Sequence, residues 1–217
     1  MSMFLEKVRL SWKSSFSDKR FRNSFIAGFI VLLILLSLLP VFYPHIESRK
    51  GIVLNDWVLN LLTPHDVSVP IFMIIWGAGV MGIYRTLTKP EIFLQFIYAY
   101  IFFVITRSIC LVLVPLDPPV GIVELKDPLT NIFYGGKFMT KDLFYSGHTC
   151  AVVLICMLLE KKADRLILIP AAFTLAILLL VQHVHYTIDI LAAVLFSVIC
   201  LKSGNAILKK SLSFAAN

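Results

Sequence analysis

Apolar residues run along this chain in six long stretches, near 24–43, 67–84, 92–114, 143–159, 166–183 and 185–202, separated by short polar connections. Each holds about 17 to 23 residues, against the roughly 20 that a membrane-spanning helix needs, so the pattern predicts an all-α, polytopic membrane protein with six transmembrane helices. The second stretch is interrupted by Pro70, Gly77, Gly79 and Gly82, small residues that also let helices pack closely. Ahead of the first, residues 1–23 interleave Lys7, Arg9, Lys13, Lys19, Arg20 and Arg22 with Phe4, Leu5, Val8, Leu10, Trp12 and Phe16. That mixture predicts a basic interfacial helix on an anionic leaflet, with a solvated tail as the alternative. The implied organisation is an interfacial segment at 1–23, a six-span domain at 24–202 and a tail at 203–217.

Two longer connections lie on the side opposite the N-terminus. Residues 44–66 include Asn55-Asp56-Trp57-Val58-Leu59-Asn60-Leu61-Leu62, read as a short amphipathic piece resting on the outer interface. Residues 115–142 open with Pro115-Leu116-Asp117-Pro118-Pro119 and contain Gly135-Gly136, a turn-rich cap over the membrane surface.

Composition supports the hydropathy pattern. Of 217 residues, 59% are hydrophobic and 15% charged, whereas a soluble domain carries about 25% charge. Cys110, Cys150, Cys156 and Cys200 sit in apolar runs without CxxC spacing, which argues against a disulfide framework or a zinc site. No small-residue cleavage site follows the first apolar stretch, so no cleaved signal peptide is expected. Basic residues orient the chain: fourteen of the twenty Lys and Arg fall in the N-terminal segment and in the connections on its side. Five fall on the other side and Arg107 lies within the third span, so both termini are expected in the cytoplasm. Membrane lipids, not nucleic acid, are the expected partners. The plain chain favours a bacterial inner membrane over a Golgi or plasma membrane.

One polar cluster stands out: His183-Val184-His185-Tyr186-Thr187-Ile188-Asp189 heads the last apolar stretch. If this segment is helical, His185 and Asp189 share a face four residues apart, and the carboxylate can fix the imidazole tautomer and leave the other ring nitrogen reactive. Ionisable groups inside a membrane cost roughly 2.5 to 3.5 kcal/mol each on insertion scales, which makes such a cluster a functional candidate. The span order brings company. Ser146-Gly147-His148-Thr149 opens the fourth span from the same side, and Arg107 lies near the outer end of the third. Such a set suits phosphoryl transfer: one histidine attacks phosphorus, a carboxylate orients it, a second histidine protonates the leaving oxygen and cations neutralise the phosphate. Ser146 and Gly147 at a helix start would add backbone N–H groups, with glycine letting phosphate approach closely. Three other readings are open: histidines that only hydrogen-bond between spans, metal ligation by His148, His183, His185 and Asp189, and a proton-coupled transporter using Asp189 as relay.

With Asp142-Leu143-Phe144-Tyr145-Ser146-Gly147-His148-Thr149 and His183 through Asp189 both in view, the chain resembles the sphingomyelin synthase family, within the wider superfamily of type 2 phosphatidic acid phosphatases. The likeness rests on an acidic residue six positions before the SGHT histidine, on HxHYTxD, and on an arginine-bearing segment, Arg107-Ser108-Ile109-Cys110, leading to Pro115-Leu116-Asp117-Pro118. It covers about residues 92–202. The resemblance implies His185 as nucleophile, Asp189 as its orienting partner and His148 as acid/base. It implies transfer of a phospho-headgroup from a glycerophospholipid to ceramide or a related lipid alcohol on the non-cytoplasmic leaflet; no metal or other cofactor is expected, since histidines and cationic side chains supply the charge stabilisation a metal ion would otherwise provide. Water as acceptor would make the same residues a lipid phosphatase or phospholipase C-like hydrolase. The chain departs from the phosphatase branch in lacking its Lys-x6-Arg-Pro motif and an Arg shortly before the nucleophilic histidine. Arg107, Lys137, Lys141, Tyr145 and Tyr186 are therefore the candidates for phosphate contact, with Asp142 and His183 as further substrate contacts. A proline-rich segment before the second span is echoed only by Pro64-His65-Asp66.

Overall fold

Prolines and polar caps set the helix boundaries. Asp18 accepts a hydrogen bond from Arg20 N and opens a helix; Pro90 stands at the first turn of another, where its missing N–H has no partner to lose. Pro70 is likewise in a first turn and does not break the glycine-containing second span. The computed structural model describes residues 2–125 and 139–213. In order, the helices are α1 (Ser2–Ser17), α2 (Lys19–Ser48), α3 (Ser68–Leu87), α4 (Pro90–Leu113), α5 (Gly147–Leu158), α6 (Lys162–Val181) and α7 (Thr187–Ser213). No strand occurs among the described residues. A single parallel bridge, Ile52 with Leu116, ties the two long connections together.

The all-α expectation holds, with six apolar helices in the expected order. Five of them are long and apolar enough to cross a membrane, consistent with an integral membrane protein; α5 is not, with only 12 residues. At 1.5 Å per residue α5 spans roughly 18 Å. The expected fourth span at 143–159 is therefore corrected: residues 143–146 are non-helical. Their burial explains how apolar sequence there is not helix, since Leu143, Tyr145 and Ser146 are all at or below 1% exposure. Irregular backbone at such depth is tolerated where protein surrounds it.

The packing is centred on α4, which touches α1, α2, α3, α5 and α7. Its burial runs right around the helix, from Leu94 and Ile97 to Arg107 and Leu111. Helix α5 lies among α3, α4, α6 and α7. At the α1 end of the bundle, Arg85 of α3 makes a two-pronged ion pair with the buried Asp164 of α6, at 2.8 and 2.7 Å. Helix α1 is latched to the same end. Trp12 Nε1 donates to Leu87 O (2.9 Å), Ser11 Oγ to Thr88 O (3.1 Å), and the Trp12 and Phe16 rings pack on Phe25. The aromatic positions expected to lie on a leaflet thus face the bundle in part, while Met3, Leu5 and Leu10 stay exposed.

The stretch expected as an amphipathic piece on the outer interface, Asn55 through Leu62, holds only a 3-10 turn at Leu59–Leu61. Leu59 is buried against Leu116, Leu143 and Tyr186, so the segment is tucked into the loops above the helices. The expected Gly135-Gly136 turn and Lys137 lie outside the described residues.

Candidate active site

At the end of the bundle away from α1, the α6–α7 turn carries the His183–Asp189 run. Helix α7 begins at Thr187, so His185 is not helical, contrary to the expected helical register. His183 has φ of 55°, a left-handed kink that ends α6 and turns the chain. The pairing nevertheless forms. His185 Nδ1 lies 3.4 Å from Asp189 Oδ2, a long contact between side chains 4% and 0% exposed. The same oxygen accepts Tyr186 N–H at 2.9 Å, so Asp189 caps its own helix while facing the imidazole.

The start of α5 is fixed to this point by main chain: Ser146 N donates to Asp189 O at 3.1 Å. Ser146 is the N-cap of α5; its Oγ accepts from Thr149 N (3.4 Å) and donates to Thr149 Oγ1 (3.1 Å). The consequence is that His148 and His185 come together, with ring centroids 6.4 Å apart. His148 Nδ1 and Asp189 Oδ1 are buried with no hydrogen-bond partner among the described residues, two polar atoms that a ligand can satisfy.

Arg107 joins them from α4. Its Nε donates to Tyr145 O (3.0 Å), Nη1 donates to Tyr43 Oη (3.0 Å) and pairs with Asp142 Oδ1 (2.7 Å). The guanidinium lies flat against Gly147, where a Cβ would sit 3.0 Å from Nε and 3.1 Å from Cζ. Glycine at 147 therefore serves to admit the arginine, a different close approach from the phosphate expected there. Arg107, Asp142, Tyr43, Gly147 and His148 line a cavity of ≈ 260 Å³.

Several side chains expected as substrate contacts are engaged elsewhere in the protein. The Tyr145 ring turns into the core, stacked on Phe196 at 4.4 Å with its hydroxyl on Thr106 (2.9 Å), and only its carbonyl reaches Arg107. Tyr186 faces the loops, where its hydroxyl donates to Asp117 O (2.9 Å) and accepts from Leu54 N (3.2 Å). Lys141 pairs with Asp117 (2.8 Å) and with Arg49 O, so it braces the loops; its ammonium holds the Asp117 carboxyl below the usual carboxylate range. His183 directs Nδ1 to Val120 O (2.9 Å) and packs by Gly121. Among the described residues no three His, Cys, Asp or Glu side chains gather as a metal set; of the four donors weighed above, His148, His185 and Asp189 neighbour one another and His183 turns its Nδ1 to Val120 O.

Two contributors escaped the sequence pattern. Tyr43, at the far end of α2, reaches Arg107, and no spacing from the motifs points to it. Asp56 accepts from Thr187 N (2.6 Å) and Thr187 Oγ1 (3.0 Å), capping α7 from 131 residues away; its place in the first long connection was visible, its target was not.

No curated protein and no solved structure matches the chain. Residues 140–205, which hold Asp142, Gly147, both site histidines and Asp189, match the family described as PAP2 superfamily C-terminal, and this match supports the type 2 phosphatidic acid phosphatase superfamily.

Proposed function

We propose that this chain is a membrane-embedded lipid phosphotransferase that moves a phospho-headgroup from a glycerophospholipid to a lipid alcohol through a phosphohistidine on His185. The observation that carries the proposal is the triad geometry: His185 backed by Asp189 at 3.4 Å, with His148 one ring contact away at 6.4 Å. The family match supports a lipid phosphatase or phosphotransferase activity at the coarser level.

Each group has a defined task. Asp189 engages Nδ1 of His185, which leaves Nε2 as the nucleophile. Nε2 bonds to phosphorus as the phosphorus–oxygen bond to diacylglycerol breaks, and His148 gives its proton to the departing oxygen. In the second half the acceptor hydroxyl attacks phosphorus and passes its proton to His148, and the phosphorus–nitrogen bond breaks to restore His185. Arg107, fixed by Tyr43, Asp142 and the Tyr145 carbonyl, sets a permanent positive charge at the cavity wall for the phosphate oxygens. Water in place of the lipid hydroxyl turns the same cycle into hydrolysis.

Most of the rest of the cavity wall is apolar, with Leu36 and Leu39 from α2, Ile75 from α3 and Phe103 from α4, beside Ser108 and Tyr100. Helices α2 and α3 both line it yet are not substantially packed on one another. A lipid with an apolar body therefore has a route between them, and the walls disfavour water.

The test is incubation of the purified protein with a phospholipid labelled in its headgroup, with and without ceramide or diacylglycerol. Label in a new lipid supports transfer; label released as a water-soluble headgroup supports hydrolysis; full turnover by His185→Ala defeats both. Persistence of activity in a chelator and without an ion gradient is expected and would dispose of the metal and transporter readings.

A further inference from the structure

A second cavity, of ≈ 200 Å³, lies further along the bundle toward the α1 end, beside the α3–α4 turn, lined by Gly79, Gly82 and Thr86 of α3, Phe96 of α4, and Ile155 and Leu158 of α5. Its walls are apolar, and the one hydroxyl among them, Thr86, is spent on Ile83 O at 2.8 Å. The site cavity draws on the same three helices through Ile75, Tyr100 and Ala151.

The register relates the two spaces. On α3, Ile75 is followed by Gly79; on α4, Tyr100 is preceded by Phe96; on α5, Ala151 is followed by Ile155. Each pair is four residues apart, one helical turn of about 5.4 Å. Because α4 runs opposite to α3 and α5, all three steps lead away from Arg107 and His148 toward the α1 end. The cavities are thus stacked along one three-helix seam. Between them stand the Phe96 and Tyr100 rings, centroids 5.4 Å apart, one in the wall of each cavity. On the α3 side nothing lies within 4 Å of where a Gly79 Cβ would be, so the wall is open there.

We propose that the second cavity takes the distal end of one hydrocarbon tail of the lipid whose phosphate meets Arg107 and His148, and that the Phe96–Tyr100 pair gauges how far that tail reaches. The inference rests on the lipid-phosphate reading of the upper site. Its substance is the substrate class: a long-chain phospholipid, selected by tail length through residues remote from the chemistry. The apolar lining fits hydrocarbon and nothing charged, and its alignment with the site cavity identifies the tail of the bound substrate as occupant over an unrelated lipid. Side chains at Gly79 would intrude on the tail, and loss of the Phe96 ring would lengthen the track.

Two readouts test this. In the first, the full-length His185→Ala protein in phosphatidylcholine vesicles is irradiated with a phosphatidate bearing a diazirine at the end of one palmitoyl chain. Label mapping to Gly79–Ile83, Phe96 or Ile155–Leu158 is expected; label confined to the outward faces of α2 and α3 would overturn the proposal. This measurement needs no turnover. In the second, the ratios of kcat/KM for the dipalmitoyl and distearoyl forms of the donor phospholipid over its dioctanoyl form are compared among variants. Gly79→Phe should lower the dipalmitoyl ratio by about tenfold, the effect of roughly two methylenes no longer buried, and Phe96→Ala should raise the distearoyl ratio. Should Gly79→Phe not fold, Phe96→Ala decides alone. Ratios equal to those of the unaltered protein would overturn the tail gauge. No turnover of any phospholipid by the unaltered protein, with or without a lipid alcohol, would count against the catalytic reading and leave the labelling to decide the cavity.

Discussion

Asp189 serves two partners with one oxygen, accepting Tyr186 N–H at 2.9 Å and facing His185 Nδ1 at 3.4 Å. Asn at this position keeps an acceptor for the Tyr186 amide and removes the charge that supports an imidazolium. Asp189→Asn should therefore lower kcat by about a hundredfold while the protein still melts cooperatively, as steady-state kinetics and thermal unfolding in detergent would show. Gly147 makes a sharper demand. A methyl there meets the Arg107 guanidinium at 3.0 to 3.2 Å, so the arginine must shift by a few tenths of an ångström. Gly147→Ala should cost about tenfold in kcat/KM with little loss of stability, because alanine is the better helix former by up to about 1 kcal/mol. Comparable kcat/KM values for Gly147→Ala and the unaltered protein would show that the arginine's position does not matter. At this scale the residues that gather at the candidate site, His148, His185, Asp189 and Arg107, were legible in the motifs. Their tasks were legible less often: Tyr145 and Tyr186 are adjacent in sequence to site residues, yet their rings go to the core and the loops.

Among the elements, α7 depends on a cap supplied from outside it. Asp56 holds Thr187 N and Oγ1, and Thr187 follows the His185 turn by two residues. Asp56→Ala should destabilise the protein by about 1 kcal/mol, measured by thermal unfolding, and should loosen the turn that presents His185. Burial alone would raise the Asp56 carboxyl, but hydrogen bonds from Thr187, Leu59 and Val58 outweigh it and hold the group below its ordinary value of 3.8. Its folded form thus binds protons less readily than its unfolded form. The stability it lends is complete above pH 3.8 and is lost as pH falls through the lowered folded value; Asp56→Asn should remove that part of the acid-side loss. The helices themselves followed from apolar run length, and α3 survived its proline and glycines because Pro70 falls in the first turn. Hydropathy failed at residues 143–146 for a physical reason. A buried irregular segment and a buried helix demand the same apolar side chains, and only the Ser146 cap marks where the helix begins. The His185 turn was hidden similarly, since a left-handed His183 leaves no compositional trace.

For the whole molecule, the alternation of helices puts His148, His185 and Arg107 at one end of the bundle and α1 with the Arg85–Asp164 pair at the other. Together with the bias of fourteen basic residues toward the α1 side, this leads us to propose that the site faces the non-cytoplasmic leaflet. A reporter fused after α7 should read as cytoplasmic; an outside signal would put the site on the other leaflet. The central claim is that phosphorus passes through a covalent bond to His185. Rapid quenching of the protein with a phospholipid labelled at phosphorus should trap acid-labile, alkali-stable label on the peptide containing His183 through Asp189, and none in His185→Ala. Label on His148 alone, or full turnover by His185→Ala without trapped label, would contradict it.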